Sequence, residues 1–339
     1  MERMSRWIPL AVVGVLTSLF LGASDAPERQ ETRKRLEEAV SKTNIFDLPS
    51  FQITARVQII GNQGKSLEGR YQLLWKGPEQ WREEITFPAY SEVQIGGKGT
   101  VWIQRSTDFI PLRIHELHAA LGFGSVAGDI EGRFGSYVQL GLSPNDKIKK
   151  THSRKENGDK LTCVEVENEQ KFSSDICVND STGTLLRGSP YKDGDFQPIG
   201  GKVFPRFLGF VENGQTVAKV NIDDLIVPGQ FPTNSFVPVT GVSPEPGCMN
   251  PIPFRRIKSV PPKYPQEARQ RQIEGVVAVD LWVGTDGIPK IRKVVAGSNA
   301  FLEESAVNAI RESRYEPAEC DGKPVQVETV RRVTYTLSP

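Results

Sequence analysis

The 339-residue sequence has few of the residues and motifs on which most enzymatic chemistry depends. Its three histidines leave little material for acid–base catalysis. It contains neither a Gly-x-Ser-x-Gly elbow nor the Gly-Lys-Ser/Thr ending of a phosphate-binding loop. The adjacent carboxylates Glu83-Glu84 and Asp223-Asp224 would point to opposite faces of a strand, so they make poor catalytic pairs. The sequence therefore predicts a protein that is not an enzyme and that needs no cofactor.

A surplus of charge is also missing, since 42 basic residues stand against 41 acidic ones. Without a basic excess, nucleic acid is not the expected partner. Metal ligands are equally sparse, because no two cysteines have the Cys-x2–4-Cys spacing of a structural zinc site. His115 and His118 are three residues apart but lack a clear third ligand. The sequence therefore predicts no metal site.

Long apolar runs are limited to one, which extends from residue 7 to residue 21 behind two arginines. A run of about fifteen residues suits the core of a signal peptide and is short for a membrane-spanning helix of about 20 residues. The small residues that follow predict cleavage after Ala26 or after Ala23, and no cysteine follows for lipid attachment. Residues 1–26 are interpreted as a signal peptide, with an uncleaved inner-membrane anchor as the alternative.

Export would place the four cysteines in an oxidising compartment, where cysteines tend to pair. Cys163 and Cys177 lie in two strand-like segments joined by a polar turn, and opposed positions on such a hairpin can meet the short Cα separation of a disulfide. Cys248 and Cys320 flank the C-terminal part of the chain. We therefore predict the disulfides Cys163–Cys177 and Cys248–Cys320, with four free buried thiols as the alternative.

Residues 27–230 combine a charged helix-like segment with many short strand-like segments. Leu36, Ala39 and Val40 form an apolar stripe on the first segment, and "PLRIHELHAALG" is also helical in pattern. "FQITARVQII" alternates apolar with mostly polar residues, and related patterns recur as far as "TVAKVNIDDLIV". The repetition predicts one antiparallel sheet, strongly curved or folded on itself. Recurrent proline marks residues 231–254 as a linker.

Residues 255–339 show the order helix, strand, strand, helix, strand. "QEARQRQIEG" predicts a helix of about two turns behind Pro265, which suits a first helical turn. "VVAVDLWV" and "IPKIRKVVAG" predict a hairpin around an Asp-Gly turn. Leu302, Ala306 and Ile310 lie on one stripe of a second helix, and Ser298 or Asn299 can cap it. The segment therefore predicts three antiparallel strands with two helices on one face.

The motifs "PPKYP", "IEGVVAVDLWVGTDGIPKIRKVVAGS", "LEESAVNAIRESRYEPA" and "DGKPVQVETVRRVTYTL" resemble, in order and spacing, the C-terminal domain of the TonB family. In that family the domain takes up an extended segment of an outer-membrane receptor as a strand beside its own last strand. The corresponding strand here is predicted over Val325–Leu337. The resemblance implies two groups of partner-binding residues: Lys263, Tyr264 and Pro265 in the Tyr-Pro motif, and Val325, Gln326, Val327, Glu328, Thr329, Val330, Arg331 and Arg332 in the last strand.

Structural roles are the alternative for both groups. Tyr264 and Pro265 would then pack the helix start onto the sheet, and the last strand would be a capped or dimer-paired edge. The sequence also departs from the family, whose energy transducers keep an N-terminal membrane helix and a long Pro-rich linker. An inner-membrane motor is therefore an expected partner only if the N-terminus is uncleaved.

The N-terminal helix, the short strands and "YQLLWKGPEQWREEI" resemble, more generally, the LolA/LolB-like periplasmic lipoprotein carriers. These half-barrels hold acyl chains between a curved sheet and its helices. The resemblance implies a lipid or acyl-chain cavity, and the expected lining is Trp75, Trp81, Ile85, Trp102 and Ile103. Ordinary core packing of the same residues is the alternative.

The sequence therefore predicts an α+β protein, with an N-terminal curved antiparallel β half-barrel and a C-terminal three-stranded antiparallel sheet that carries two helices on one face. The expected function is that of a TonB-like binding protein in the periplasm of a diderm bacterium. It would engage an outer-membrane receptor or another envelope protein by strand addition, with a role in energy-dependent transport. The alternative is a periplasmic lipid or lipoprotein carrier whose C-terminal domain is an accessory.

Overall fold

The computed structural model describes residues 27–60, 66–97, 100–121, 146–156, 158–167, 173–188, 191–212, 214–246, 251–252, 254–297, 299–320 and 322–337. The predicted signal segment, residues 1–26, lies outside these ranges. Within them, no helix is long and apolar enough to cross a bilayer.

The first half of the chain builds a large antiparallel sheet. Helix α1 and a short 3-10 helix lead into a five-stranded meander, after which helix α2 follows. The bounds are α1 Pro27–Thr43, 3-10 helix Ile45–Asp47, β1 Phe51–Ile60, β2 Ser66–Trp75, β3 Gln80–Phe87, β4 Tyr90–Gly97, β5 Thr100–Arg105 and α2 Leu112–Leu121. Alternate residues of β1 are buried, as expected for a strand with one face on a core.

Four strands then form a second sheet in the order β6-β7-β8-β9, and three further strands return to the first. The bounds are β6 Lys147–Glu156, β7 Asp159–Glu167, β8 Ser173–Asn179, β9 Leu185–Arg187, β10 Tyr191–Ile199, β11 Lys202–Glu212 and β12 Gln215–Ile226. With β13, Glu245–Pro246, the large sheet has the order β10-β11-β12-β1-β2-β3-β4-β5-β13. The expectation of a single sheet was therefore wrong in detail, because alternation identifies a strand and its buried face but not its neighbours.

One apolar core serves both of these sheets. Leu36 of α1 and Leu117 of α2 pack against sheet residues that include Phe51 and Trp81, and Val164 and Val178 extend the core into the four-stranded sheet. Helices α1 and α2 therefore cover the same apolar core. This arrangement fixes the position of α2, which becomes important below.

The predicted disulfide Cys163–Cys177 is present. The two cysteines lie directly opposite each other on β7 and β8, with their Cα atoms 3.9 Å apart. Cys320 is also disulfide-bonded, while Cys248, its predicted partner, lies outside the described residues.

The C-terminal part contains a three-stranded antiparallel sheet in the order β17-β16-β21. Helices α3 and α4 and several short strands surround it. The bounds are β14 Pro251–Ile252, β15 Arg255–Lys258, α3 Gln266–Gln270, β16 Gly275–Val283, β17 Pro289–Ala296, α4 Ala300–Glu312, β18 Arg314–Glu316, β19 Ala318–Cys320, β20 Lys323–Val325 and β21 Val327–Tyr335. The predicted α+β class and the order of the elements are confirmed.

Local signals explain the main turns of this sheet. The Asn299 side chain accepts a hydrogen bond from the Phe301 N–H and so caps α4. Gly287 closes the β16–β17 hairpin at a φ of 70°, and a Cβ atom there would lie 1.9 Å from the Tyr315 carbonyl oxygen. Only glycine fits this position, which explains why the turn reads Asp-Gly.

Two elements differ from the expectation in their bounds. Helix α3 ends at Gln270, earlier than predicted, because Gln272 has a φ of 52° and the Ile273 N–H bonds back to the Ala268 carbonyl. The last strand begins at Val327 and not at Val325, since Val325 lies in β20 and pairs with Ala318. Gln326 therefore falls between two strands.

Candidate functional site

The strand β21 lies at one edge of the C-terminal sheet. It pairs with β16 in unbroken antiparallel register, from Val327 opposite Val283 to Tyr335 opposite Gly275. Among the described residues, no strand pairs with the opposite edge of β21. An edge strand presents backbone N–H and C=O groups that an extended segment can pair with, which is the geometry that strand addition requires.

Successive side chains of β21 point to opposite faces of the sheet. Val327 and Tyr335 lie in the apolar core beneath the helices, with Val333 packed against it. Glu328, Val330 and Arg332 alternate with them and face the N-terminal domain. One face of the strand therefore belongs to its own domain, and the other belongs to an interface between the two halves of the chain.

The apolar part of this interface is small. Leu112, at the start of α2, packs with Ala278 of β16 and Val330 of β21, and Val295 and Ala296 lie at its margin. Nearby, the Lys293 ammonium lies 3.8 Å from the centre of the Phe109 ring. These contacts bury a small apolar patch between the two domains, not a continuous core.

A buried ion network occupies one end of the interface. The Arg105 guanidinium donates to Glu328 at 2.9 Å and also pairs with Glu92 of its own sheet. Arg292 of β17 approaches the other oxygen of Glu328 and lies 3.2 Å from Asp280. The Glu328 side chain is 1% exposed and that of Arg105 is 11% exposed. Charges this deeply buried are stable only when paired, so each side of the interface depends on the other.

The environment keeps these groups ionised. Burial alone would raise the pKa of Glu92, but His118, Arg105 and Gln94 outweigh it and hold that pKa below its ordinary value. Burial would lower the pKa of Arg105, but Glu92 and Glu328 raise it above the ordinary value. The network therefore consists of charged groups that compensate one another across the domains.

A second ion cluster occupies the other end. Arg332 donates to Glu116 of α2 at 2.9 Å and also contacts Glu212 at the end of β11. Arg113 pairs with the same two carboxylates. The Glu116 side chain is 1% exposed, whereas that of Glu212 is 15% exposed. This cluster is consequently closer to solvent than the first.

The interface divides β21 into two halves. Val327, Glu328, Thr329 and Val330 are 2%, 2%, 0% and 4% exposed, backbone included. The residues from 331 to 333 are half-buried, and Thr334 is exposed. Of the predicted partner-binding residues in this strand, Val327 to Val330 are therefore almost fully buried, and Arg331 and Arg332 are only half-buried.

The Tyr-Pro motif lies beside the far end of the same strand. The Tyr264 hydroxyl donates to the Ile273 carbonyl at 2.6 Å, and its ring packs edge-on against Tyr335 with centroids 5.5 Å apart. Pro265 is the N-cap residue of α3, and Lys263 is exposed. Tyr264 therefore contributes to packing, while Lys263 is the member of the motif whose side chain faces solvent.

The candidate lining residues of the N-terminal domain lie in or beside its core. Trp75, Trp81 and Ile85 are at most 2% exposed, and Trp102 and Ile103 are half-buried on β5. Trp75 packs edge-on against the Phe46 ring. A lining role for these five residues stays a prediction.

Sequence reasoning missed Arg105, Leu112, Glu116, Glu212 and Arg292. One signal did exist, because Asp280 is a lone charge in the otherwise apolar strand "VVAVDLWV" and is 0% exposed. A carboxylate in such a strand requires a cationic partner. The sequence alone does not identify that partner as Arg292.

Comparisons with known proteins match the C-terminal part of the chain to one family. Residues 260–337 match the family described as Gram-negative bacterial TonB protein C-terminal. The chain is 30% identical over 99 residues to the protein TonB of Vibrio cholerae, which is 29% of this chain and 40% of that protein. It therefore spans less than half the length of this curated relative. The C-terminal part is thus a TonB-like C-terminal domain.

Solved structures match over a larger share of the chain. A LolA superfamily protein from Nitrosomonas europaea is 17% identical, with a TM-score of 0.38, and the match covers 60% of this chain and 96% of that one. A DUF1329 family protein from Desulfovibrio piger is 10% identical, with a TM-score of 0.37, over 60% and 96% of the two chains. Similarity this low says nothing about a ligand.

Proposed function

We propose that this chain is a periplasmic binding protein of a diderm bacterium whose C-terminal domain takes up an extended segment of an outer-membrane receptor or another envelope protein. The segment would pair antiparallel or parallel with the outer edge of β21. Backbone hydrogen bonds would supply affinity, and the accessible side chains of the second half of the strand would supply selectivity. Participation in energy-dependent transport is part of this proposal.

The edge position of β21 is the observation that supports the proposal. Its second half is half-buried from Arg331 to Val333 and exposed at Thr334, and the described residues offer no strand that pairs with its outer edge. Lys263 is exposed in the Tyr-Pro motif, whose Tyr264 ring lies against Tyr335 at the end of the strand. An incoming segment that follows β21 to its end would therefore approach this lysine.

Nuclear magnetic resonance of the full chain tests strand addition. Synthetic extended peptides from outer-membrane receptors should shift the amides of Arg331–Tyr335. The amides of β17, at the other edge of the same sheet, should not shift and provide an internal control. No shift in Arg331–Tyr335 with any of these peptides would contradict the proposal.

A matched peptide identifies the kind of contact. Methylation of alternate backbone nitrogens keeps every side chain but removes the N–H donors that face β21. The methylated peptide should lose binding if the segment pairs as a strand. Equal binding by both peptides would indicate side-chain recognition instead.

A lipid or lipoprotein carrier is the second candidate. Trp75, Trp81 and Ile85, which were predicted to line its cavity, are packed in the apolar core of the large sheet and helices α1 and α2, so an acyl chain would have to displace them. Native mass spectrometry of the protein purified from the envelope is the test. A co-purifying acyl ligand would support the carrier, and protein free of lipid in every preparation would count against it.

A further inference from the structure

The contact between the two domains covers part of the strand on which the proposed function depends. Each residue from Val327 to Val330 is at most 4% exposed, although β21 is an edge strand. The side chains of Glu328, Val330 and Arg332 all contact the N-terminal domain. The N-terminal domain therefore contacts one face of β21 at Glu328, Val330 and Arg332, and the residues around the first two of these contacts are almost fully buried.

The chemistry of this contact differs from that of a domain core. Arg105, Glu116 and Glu212 of the N-terminal domain pair with Glu328 and Arg332 of the C-terminal domain. When such domains separate, each charged group regains water, so the cost of separation is partly repaid. The apolar contribution of Leu112 and its neighbours is limited to one small cluster. These features are expected for a contact that forms and opens, rather than for one that is permanent.

We propose that the N-terminal domain is an intramolecular cap on β21, and that its release exposes the backbone edge of residues 327–330 for pairing with a partner segment. This inference rests on the proposed function for its purpose. The capped protein offers a short edge, and the released protein offers all nine residues of β21. Release would therefore lengthen the strand available to a partner and raise the affinity for an extended segment.

Substitution on the N-terminal side tests the cap without altering β21. Leu112→Asp places a carboxylate opposite Val330 and Ala278, and the first position of α2 tolerates it because an acidic group is favourable at a helix N-terminus. Leu67→Asp is the matched control, since Leu67 is 58% exposed on β2. The measurement is amide hydrogen exchange in β21 of the full chain, by nuclear magnetic resonance.

In Leu112→Asp, the amides of residues 327–330 that point away from β16 should exchange about 10-fold faster or more. The reason is that they lose the N-terminal domain that covers them. Exchange in Leu67→Asp should match that of the wild-type protein. Unchanged exchange at 327–330 in a folded Leu112→Asp variant would overturn the cap. So would fast exchange at these residues in the wild-type protein.

Glu212→Lys provides a second variant in case Leu112→Asp does not fold. Glu212 is 15% exposed at the end of β11, and a lysine there would oppose both Arg113 and Arg332. The half of β21 from 327 to 330 should again exchange faster than in the wild-type protein. Protection equal to that of the wild type in this variant would overturn the cap as well.

Peptide titration of the same proteins separates this inference from the proposed function. With the receptor-derived peptides used above, Leu112→Asp should bind about 10-fold more tightly than the wild type, and Leu67→Asp should not differ. Released β21 without any peptide binding would leave the cap standing and contradict strand addition. Faster exchange with an unchanged affinity for a peptide that does bind would overturn the capping role.

Discussion

The two faces of the C-terminal sheet have opposite chemistry. The face under α3 and α4 buries Val277, Val279 and Leu281 of β16 against Leu302 and Ile310 of α4. The face toward the N-terminal domain instead carries a small apolar cluster flanked by buried ion pairs. Both faces are well buried, yet only the face under the helices is mainly apolar.

The apolar face stabilises the fold of the C-terminal domain, whereas the charged face holds that domain against the N-terminal domain. An apolar face cannot be exposed without losing the hydrophobic contribution of every residue in it, so it unfolds with the domain. A charged face recovers hydration when it opens, so the domain can remain folded while it separates from its neighbour. The expected effects of Leu281→Ala, Glu328→Gln and acidification test that distinction, in decreasing order of size.

Leu281→Ala should cause the largest loss of stability. Leu281 is 0% exposed in the apolar core, and removing a buried leucine side chain costs about 2–5 kcal/mol because a cavity remains. The slowest-exchanging amides of β16 report the free energy of unfolding of this domain. Ile288→Ala, at a residue that is 41% exposed on the same hairpin, is the control and should cost less than about 0.5 kcal/mol. Equal losses in the two variants would show that the helix face is not the stabilising one.

Breaking a buried ion pair costs about 3–5 kcal/mol of stability where the charges cannot reach water. Glu328→Gln should cost less. Here Arg105 and Arg292 can regain water when the domains separate, which limits the loss to the free energy of docking. Calorimetric or urea unfolding of the full chain measures it. Glu316→Gln removes the exposed partner of Arg255 and is the control, with an expected loss of about 0–1 kcal/mol. A loss as large as that of Leu281→Ala would indicate that the charged face cannot open.

Acidification should weaken the charged face through His115. Burial, followed by the charges of His118, Arg332 and Arg331, lowers the pKa of His115 to about 3. The unfolded chain then binds more protons than the folded chain between about pH 3 and the ordinary value of 6.5, so stability falls as the pH drops below 6.5. His118 acts in the opposite direction. Burial would lower its pKa, but Glu92 raises it above the ordinary value.

A variant isolates the histidine contribution. His115→Gln should lose less stability than the wild type between about pH 7.5 and about pH 5, because the group that resists protonation is gone. An identical pH dependence in His115→Gln and the wild type would contradict the assignment.

The face of the C-terminal sheet under α3 and α4 could be predicted from the sequence. The face toward the N-terminal domain could not. Asn299, the Asp-Gly turn and the stripe of α4 are local signals, and each element forms for reasons contained within a few residues. Docking depends instead on pairs such as Arg105 and Glu328, which are 223 residues apart. Charge alone does not distinguish a buried pair from two solvated side chains. The lone carboxylate of Asp280 indicated a buried cation but not which one.

The same limit applies to the partner-binding residues. The family resemblance located the last strand, but of the eight predicted residues from 325 to 332, two precede it and four lie in its covered half. Alternation identified the face that carries Val327 and Tyr335. It could not show that the opposite face is covered by α2, because the order of strands within a sheet does not determine how a sheet docks on another domain.

The smallest expected effects concern the Tyr-Pro motif, which adjoins the open end of β21. Tyr264→Phe removes the hydrogen bond to the Ile273 carbonyl but keeps the ring against Tyr335, so it should cost about 0.5–1.5 kcal/mol of stability. Its affinity for a receptor-derived peptide should not change, because the hydroxyl is already used within the domain. Urea unfolding and peptide titration of the full chain measure the two quantities.

Lys263→Ala is the matched comparison. Lys263 is exposed, so its removal should change stability by less than about 0.5 kcal/mol. Peptide affinity should fall instead, since this is the side chain of the motif that a segment on β21 can reach. If Tyr264→Phe weakened the peptide while leaving stability intact, the tyrosine would be the contact residue, and the division between a packing residue and a binding residue would be reversed.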